Sequence, residues 1–268
     1  MSRPHPTTEA TVPLTIRRDA GCEEAAWDRV VAYGVEESPS PPDPAAPESL
    51  QLTCGPRGLS LLARGPQGET LVLHLDFVHG KQGYRLAHAT QTREELARAL
   101  GHLPRGARIV DASGGLGRDS LVLAARGFEV TILERHPVLA ALLADALRRA
   151  HAHEPLRTTL ERIEFVHADA CSWLERHETA FDAAVFDPMF PARAKDAAVK
   201  KEMRILQQLL GPDADTDASS TLVCLRRHVR RRVVVKRPLH APTLGDQEPA
   251  YALRGRSIRF DAYLPIEA

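Results

Sequence analysis

From Arg108 onward the chain alternates short β-branched runs with amphipathic helical stretches, and this alternation leaves few architectures open. Arg108-Ile-Val-Asp111 reads as a strand, followed by a glycine turn and a helix through Leu121–Ala125 that ends at Gly127. Glu129–Leu133 reads as a second strand and Val138–Ala150 as a second helix. Ile163–His167, Phe181–Phe186 and Arg232–Lys236 complete five strand candidates, with helices expected over Ala170–His177 and Ala198–Leu210. Strands joined by helical crossovers pair in parallel and carry helices on both faces, which predicts a doubly wound, Rossmann-like α/β sheet. Tyr251–Leu253 and Ile258–Tyr263, joined by Arg-Gly-Arg-Ser, read as a closing antiparallel hairpin. Thr92–Leu100, with Thr92 as N-cap, reads as a helix leading into this domain.

Before residue 90 the texture differs. Glu37 to Pro47 is a proline-rich connector without core-forming residues. Leu50–Thr53, Leu59–Ala63 and Thr70–Phe77 are short β-like runs separated by Gly/Pro turns. In the last, Leu71, Leu73 and Leu75 share one face and Val72, His74 and Asp76 the other. Residues 1–90 are therefore expected to form a small N-terminal α+β module and residues 91–268 the main domain. No apolar run approaches the roughly 20 residues that cross a bilayer, and Met1 to Ile16 lacks the pattern of a secretion leader. The four cysteines are scattered, with no Cys-x-x-Cys pair, and the twelve histidines show no ligand spacing. This argues against a metal site and a disulfide framework, and for a reducing cytoplasm. Formal net charge is zero, so any case for a polyanionic partner rests on local patches. Residues 1–50 hold four basic and nine acidic side chains, whereas Arg193 to Arg237 spans twelve basic and five acidic ones.

The most informative segment is Val110-Asp-Ala-Ser-Gly-Gly-Leu-Gly-Arg-Asp119. A strand ends on Asp111 and the chain turns over Gly114, Gly115 and Gly117 into a helix, so a ligand can lie against bare backbone. Ser120 replaces the third glycine of a dinucleotide fingerprint, and Asp111 and Asp119 bring negative charge where a pyrophosphate would sit. A sulfonium cofactor with a free amino group suits these carboxylates better. Glu134 follows the second strand, 23 residues beyond Asp111, where an acidic residue accepts ribose hydroxyls. Asp169, after the third strand, can take an adenine amino group, while Ala170 leaves room for the ring.

Asp187-Pro-Met-Phe190 ends the fourth strand at the same sheet edge. An acidic residue, a proline and an aromatic at this point suit methylation of an exocyclic amine on a base. The lone pair of such an amine is delocalised into the ring. Asp187 and a neighbouring carbonyl can accept its N–H bonds and favour an attacking, pyramidal nitrogen. Phe190 offers a face on which a flipped base can stack. Asp-Pro is also a common turn former. Lys195, Lys200, Lys201, Arg204, Arg226, Arg227, Arg230, Arg231, Arg232, Lys236 and Arg237 surround the fourth and fifth strands, and those near the catalytic edge could neutralise RNA phosphates. Trp27 and Trp173 read as packing residues.

Together these segments resemble the small-subunit ribosomal RNA methyltransferase J family, guanine-N2 enzymes that use S-adenosyl-L-methionine. The resemblance is carried by Asp111 to Asp119, Leu133-Glu-Arg-His-Pro-Val138, Asp187-Pro-Met-Phe-Pro191, Lys200-Lys-Glu-Met-Arg204, Gly211-Pro-Asp213, Arg232 to Pro238 and Arg259-Phe-Asp-Ala-Tyr263. It covers residues 105–265 and implies a class I methyltransferase sheet. It also implies cofactor contacts at Arg118, Asp119, Glu134, Arg135, Asp169, Ala170 and Asp187, beside Asp111, Gly115 and Gly117 of the loop. The substrate it implies is small-subunit ribosomal RNA or an assembling 30S particle, with no membrane partner. Gly114 stands where such proteins usually carry Ala, and His79 to His88 departs from the family's basic, glycine-rich stretch. The first 50 residues match poorly. The Asp-Pro-x-aromatic segment alone would also permit an enzyme of the same fold acting on adenine N6 or a protein amide. A protein that holds cofactor or RNA without catalysis is the remaining alternative.

Overall fold

The computed structural model describes residues 12–37, 49–65, 67–89, 95–177, 180–189, 201–211 and 214–267. The chain divides into two compact units, Met1–His74 with Phe190–Ala214, and Leu75–Met189 with Asp215–Ala268.

The first unit opens with β1 (Leu14–Arg18), α1 (Glu24–Ala32), β2 (Leu50–Gly55), β3 (Gly58–Arg64) and β4 (Thr70–Leu73). The strands lie in the order β1-β2-β3-β4, with β1 and β2 parallel and the other pairs antiparallel. Leu71 and Leu73 are buried as the alternation requires, but the strand read as far as Phe77 ends earlier. The cause is Asp76, whose carboxylate accepts the N–H groups of Val78 and His79 and turns the chain. Cys22 and Cys54 are joined as a disulfide, where the scattered cysteines had argued against a disulfide framework. The parallel register sets Arg18 opposite Cys54 and the chain turns at Asp19 to Cys22, so residues separated by 32 in sequence have Cα atoms 5.2 Å apart.

The second unit continues with α2 (Gly80–Ala87), α3 (Glu95–Ala99), β5 (Arg108–Asp111), α4 (Arg118–Ala125), β6 (Glu129–Glu134) and α5 (Pro137–His151). Thr92, read as an N-cap, lies outside the described residues. α6 (Arg157–Leu160), β7 (Ile163–His167), α7 (Ala170–Leu174) and β8 (Phe181–Phe186) follow. α8 (Lys201–Leu210) then returns to the first unit, and α9 (Ala218–His228), β9 (Val229–Pro238), β10 (Tyr251–Arg254) and β11 (Ile258–Tyr263) complete the second. α8 was expected as a crossover of the main sheet. Instead its Ile205, Leu206 and Leu209 are buried and it packs on β3 and β4, covering apolar positions that a four-stranded sheet cannot bury alone. The first compact unit thus runs to His74 and takes in Phe190–Ala214, whereas the sequence reading drew its division at residue 90.

The main sheet has the order β10-β11-β9-β8-β5-β6-β7. β5 pairs in parallel with both β6 and β8, β6 with β7, and β8 with β9, while β11 runs antiparallel to β9 and β10. This is the doubly wound sheet with its closing hairpin. α5 shows why the sequence folds as it does locally: Pro137 occupies its first turn, Arg148, Arg149 and His151 its last, and Leu139, Leu142 and Leu143 are buried. Trp173 packs in the core with Phe181, Leu222 and Val233, as its reading required. Among the described residues no helix is long and apolar enough to cross a membrane.

Candidate active site

The chain leaves β5 toward β6 and β7 on one side and returns to β8 on the other, so a crevice opens beyond the carboxyl ends of β5 and β8. Asp111 closes β5 and Asp187 directly follows β8. The two loops are tied by backbone: Ala112 N–H donates to Val185 O at 3.0 Å, and Asp187 N–H to the Ser113 hydroxyl at 2.7 Å.

The glycine loop needs its glycines. Gly115 and Gly117 have φ of +49° and +68°, a region that side chains disfavour. A Cβ on Gly117 would also lie 2.6 Å from Leu143 Cδ1, because the loop backbone rests directly on α5. Asp111 is only 5% exposed; its Oδ1 accepts Ser113 N–H at 3.1 Å and its Oδ2 the Ser120 hydroxyl. Burial pushes its carboxyl up to about 6, against the lowering effect of those hydrogen bonds. Ser120, in the position of the missing third glycine, thus becomes a partner of the buried carboxylate.

Glu134 is buried at the end of β6, and burial raises its pKa. Its Oε2 accepts Gly115 N–H at 2.6 Å and its Oε1 accepts His136 N–H at 2.7 Å, so it fixes both the glycine loop and the entry to α5. Asp169 caps α7 by accepting Ser172 N–H at 2.9 Å, and Ala170 is buried beside it. Ala168 N–H donates to Glu134 O at 3.0 Å, which brings the ends of β6 and β7 together. Asp111, Gly115, Gly117, Glu134, Asp169, Ala170 and Asp187 therefore share the carboxyl edge of the parallel strands. Arg118 and Asp119 begin α4 at the same edge.

Some roles differ from the sequence reading. The Arg135 guanidinium reaches Asp217 at 2.6 Å and Asp215 at 2.5 Å, and Asp215 also accepts Met189 N–H. Arg135 thereby secures the segment before α9 and, through Asp215, the Asp-Pro loop. Lys236 donates to Asp119 at 2.9 Å and to Asp187 at 2.8 Å, while Arg85 donates to Asp119 at 3.0 Å. Burial would raise the Asp119 pKa, but Lys236 and Arg85 outweigh it and hold the carboxyl below its ordinary value. Arg85 belongs to the divergent 79–88 segment, which forms α2 and packs on α4.

Of the basic cluster, Arg230, Arg231 and Arg232 open β9 and so lie at the edge opposite Asp187. Arg226 donates to Leu264 O and Gln247, and the buried Arg237 to Pro242 O. Lys201 and Arg204 are carried by α8 in the first unit. Phe190, Lys195 and Lys200 lie outside the described residues. Sequence reasoning missed Ser113, Arg85 and Asp215, did not give Ser120 its carboxylate partner, and grouped Lys236 with the other basic residues without foreseeing its bonds to Asp119 and Asp187. The available signal was its position, a lysine closing a valine run at the carboxyl end of a parallel strand.

The family described as “Putative SAM-dependent methyltransferase” matches residues 43–265. A ribosomal RNA small subunit methyltransferase J from Thioalkalivibrio sulfidiphilus is 44% identical over 219 residues, covering 80% of this chain and 84% of the relative. A protein of the same name from Marinobacter nauticus is 37% identical across 98% of this chain and 90% of its own. A crystal structure of a SAM-dependent methyltransferase from Neisseria gonorrhoeae aligns with a TM-score of 0.71 and 29% identity, covering 95% of this chain and 97% of that one. The two-unit chain, with its crevice at the β5–β8 switch point, belongs to the ribosomal RNA small subunit methyltransferase J family of SAM-dependent methyltransferases.

Proposed function

We propose that the protein transfers a methyl group from S-adenosylmethionine to the exocyclic N2 amine of a guanosine in 16S ribosomal RNA, acting in the cytoplasm on small-subunit RNA or an assembling 30S particle. The observation that carries this reading is the junction of two loops. Asp187, the candidate partner of the amine, donates its backbone N–H to Ser113 of the glycine loop at 2.7 Å, so the candidate donor and acceptor sites adjoin.

The residues present suit the cofactor. The buried Asp111 carboxylate is matched to an ammonium group, Gly115 and Gly117 leave backbone bare, and Glu134 and Asp169 supply acceptors for ribose hydroxyls and an adenine amine. When bound, the cofactor supplies a sulfonium-activated methyl group. Arg118, Asp119, Arg135 and Ala170 complete the set assigned by resemblance. Arg135 acts chiefly by holding the Asp-Pro loop through Asp215. Asp187 aligns the amine and accepts its N–H bonds as positive charge develops on nitrogen. Phe190 stacks the base, an assignment from sequence.

The test is incubation with methyl-labelled cofactor and, in parallel, undermethylated small-subunit particles, naked small-subunit RNA and DNA. The expected product is N2-methylguanosine in small-subunit RNA. Label on adenine N6 or protein would redirect the reading, and cofactor binding without transfer would favour the non-catalytic alternative. S-Adenosylhomocysteine should raise the melting temperature and NAD should not, since a ligand selective for the folded state contributes about 2.7 kcal/mol at a hundredfold excess over Kd.

A further inference from the structure

Lys236 closes the valine run of β9. The parallel register pairs Val235 with Phe186, so the next position on each chain sets Lys236 beside Asp187. Its Nζ donates to Asp187 Oδ2 at 2.8 Å and to Asp119 Oδ2 at 2.9 Å. The side chain is 28% exposed, unlike a lysine held out to meet a phosphate backbone. Asp119 is gripped from its other oxygen by Arg85. Charge therefore alternates through Arg85, Asp119, Lys236 and Asp187, from α2 across the entry of α4 to the end of β8.

We propose that Lys236 is a positioning residue for methyl transfer: it holds Oδ2 of Asp187, leaves Oδ1 to accept the N–H of the target amine, and couples that carboxylate to Asp119 at the glycine-loop helix. This rests on the reading of Asp187 as the amine's acceptor. A carboxyl group accepts such bonds from both oxygens only while ionised. Among the described residues, the charged groups facing Asp187 are Lys236 from β9, Asp119 from α4, Asp215 before α9 and Asp111 at the end of β5. Partial desolvation raises the Asp187 pKa although its side chain is 49% exposed, Lys236 draws it down, and Asp119 and Asp215 push it up again. Lys236 is the single cation among these four groups. Burial opposes its own charge, but Asp187 and Asp119 outweigh that and hold its pKa above the ordinary lysine value. Removing it leaves the rise at Asp187 uncompensated, so the carboxyl stays protonated to higher pH.

Lys236→Met keeps most of the stem and removes the charge; Lys236→Arg restores a cation. With saturating cofactor and undermethylated small-subunit RNA, Lys236→Met should lower kcat about 10²-fold near neutral pH, the scale of one lost preorganised contact. The acid limb of its kcat profile should move to higher pH, with a smaller change in KM for RNA, and Lys236→Arg should return the limb. A second readout needs no turnover. In cofactor-free protein with carboxyl-labelled aspartate, the NMR signal missing in Asp187→Asn should titrate at higher pH in Lys236→Met. An unchanged midpoint would overturn the proposal. So would an unmoved acid limb joined to a raised KM and a salt slope for RNA binding smaller by about one, which would make Lys236 a phosphate contact. Near-normal turnover in Asp187→Ala would instead sink the reading of Asp187 itself. An inactive Asp187→Ala with identical midpoints in the wild type and Lys236→Met would sink only the Lys236 inference.

Discussion

Asp111 carries a carboxyl group at 5% exposure, with a pKa raised from 3.8 to about 6 by burial. The folded, ligand-free protein thus binds this proton more tightly than the unfolded chain does. The associated stability is fully present below pH 3.8 and is lost as pH rises through about 6. A cofactor ammonium placed beside Asp111 favours the ionised form, so binding below pH 6 must expel a proton. Affinity for S-adenosylhomocysteine should therefore rise with pH, by up to about tenfold per unit, and level off above pH 6. Asp111→Asn should bind more weakly and lose most of that slope while still accepting the Ser120 hydroxyl. Calorimetric titration from pH 5 to pH 8 reads both. An equal slope in the variant would remove Asp111 from the ammonium site.

The joint between β5 and α4 combines a backbone requirement with a packing one. At Gly117, φ is +68° and an added Cβ would meet Leu143. At Gly106, φ is +77° and an added Cβ meets nothing within 4 Å. Both Gly→Ala changes incur the left-handed penalty of roughly 1–2 kcal/mol. Gly117→Ala should lose about 1–3 kcal/mol more, because the methyl must displace the buried Leu143 side chain. Urea denaturation of the two variants separates the terms, and equal losses would show that the loop yields freely. Gly117→Ala should also weaken the cofactor-dependent rise in melting temperature, which Gly106→Ala should leave in place.

In the whole molecule the Cys22–Cys54 bond lies within the first unit, whose four-stranded sheet has few helices among the described residues. Its disulfide spans 32 residues, and loop-closure entropy assigns such a bridge about 3–4 kcal/mol. The cytoplasm proposed for the reaction keeps thiols reduced, so the difference between oxidised and reduced protein matters for function there. The two tryptophans report separately, Trp27 in the first unit and Trp173 in the second. In a Trp173→Phe background, reductant should lower the urea midpoint followed by Trp27 fluorescence. Adding Cys22→Ser should abolish the response, and a response that persists would place the effect elsewhere.

Periodicity and turn chemistry are local, and they determined much of this protein. The apolar runs of β5, β6, β8 and β9, the glycine joint after Asp111, and Glu134 and Asp187 at strand ends were all readable, because each depends on neighbours within a few positions. The Arg259-x-Asp261 pair is also local, though only the fold revealed its task of gathering the carbonyls of Leu239, Ala241 and Pro242. Interactions between segments distant in sequence were not legible. α2 was hidden by Gly80 and Gly83, yet a Cβ on Gly83 would lie 2.1 Å from Val78 O, so the tight turn before the helix selects glycine there. α8 carries an ordinary apolar face, and the sequence does not say which sheet that face will cover. The bond between Cys22 and Cys54, and the contact of Lys236 with carboxylates 117 and 49 residues away, exist only once strands are laid side by side. Residue type and spacing thus determined the class of sheet and most of the candidate cofactor loop. Tertiary structure alone decided where the charges meet, because strand order joins positions that sequence distance keeps apart.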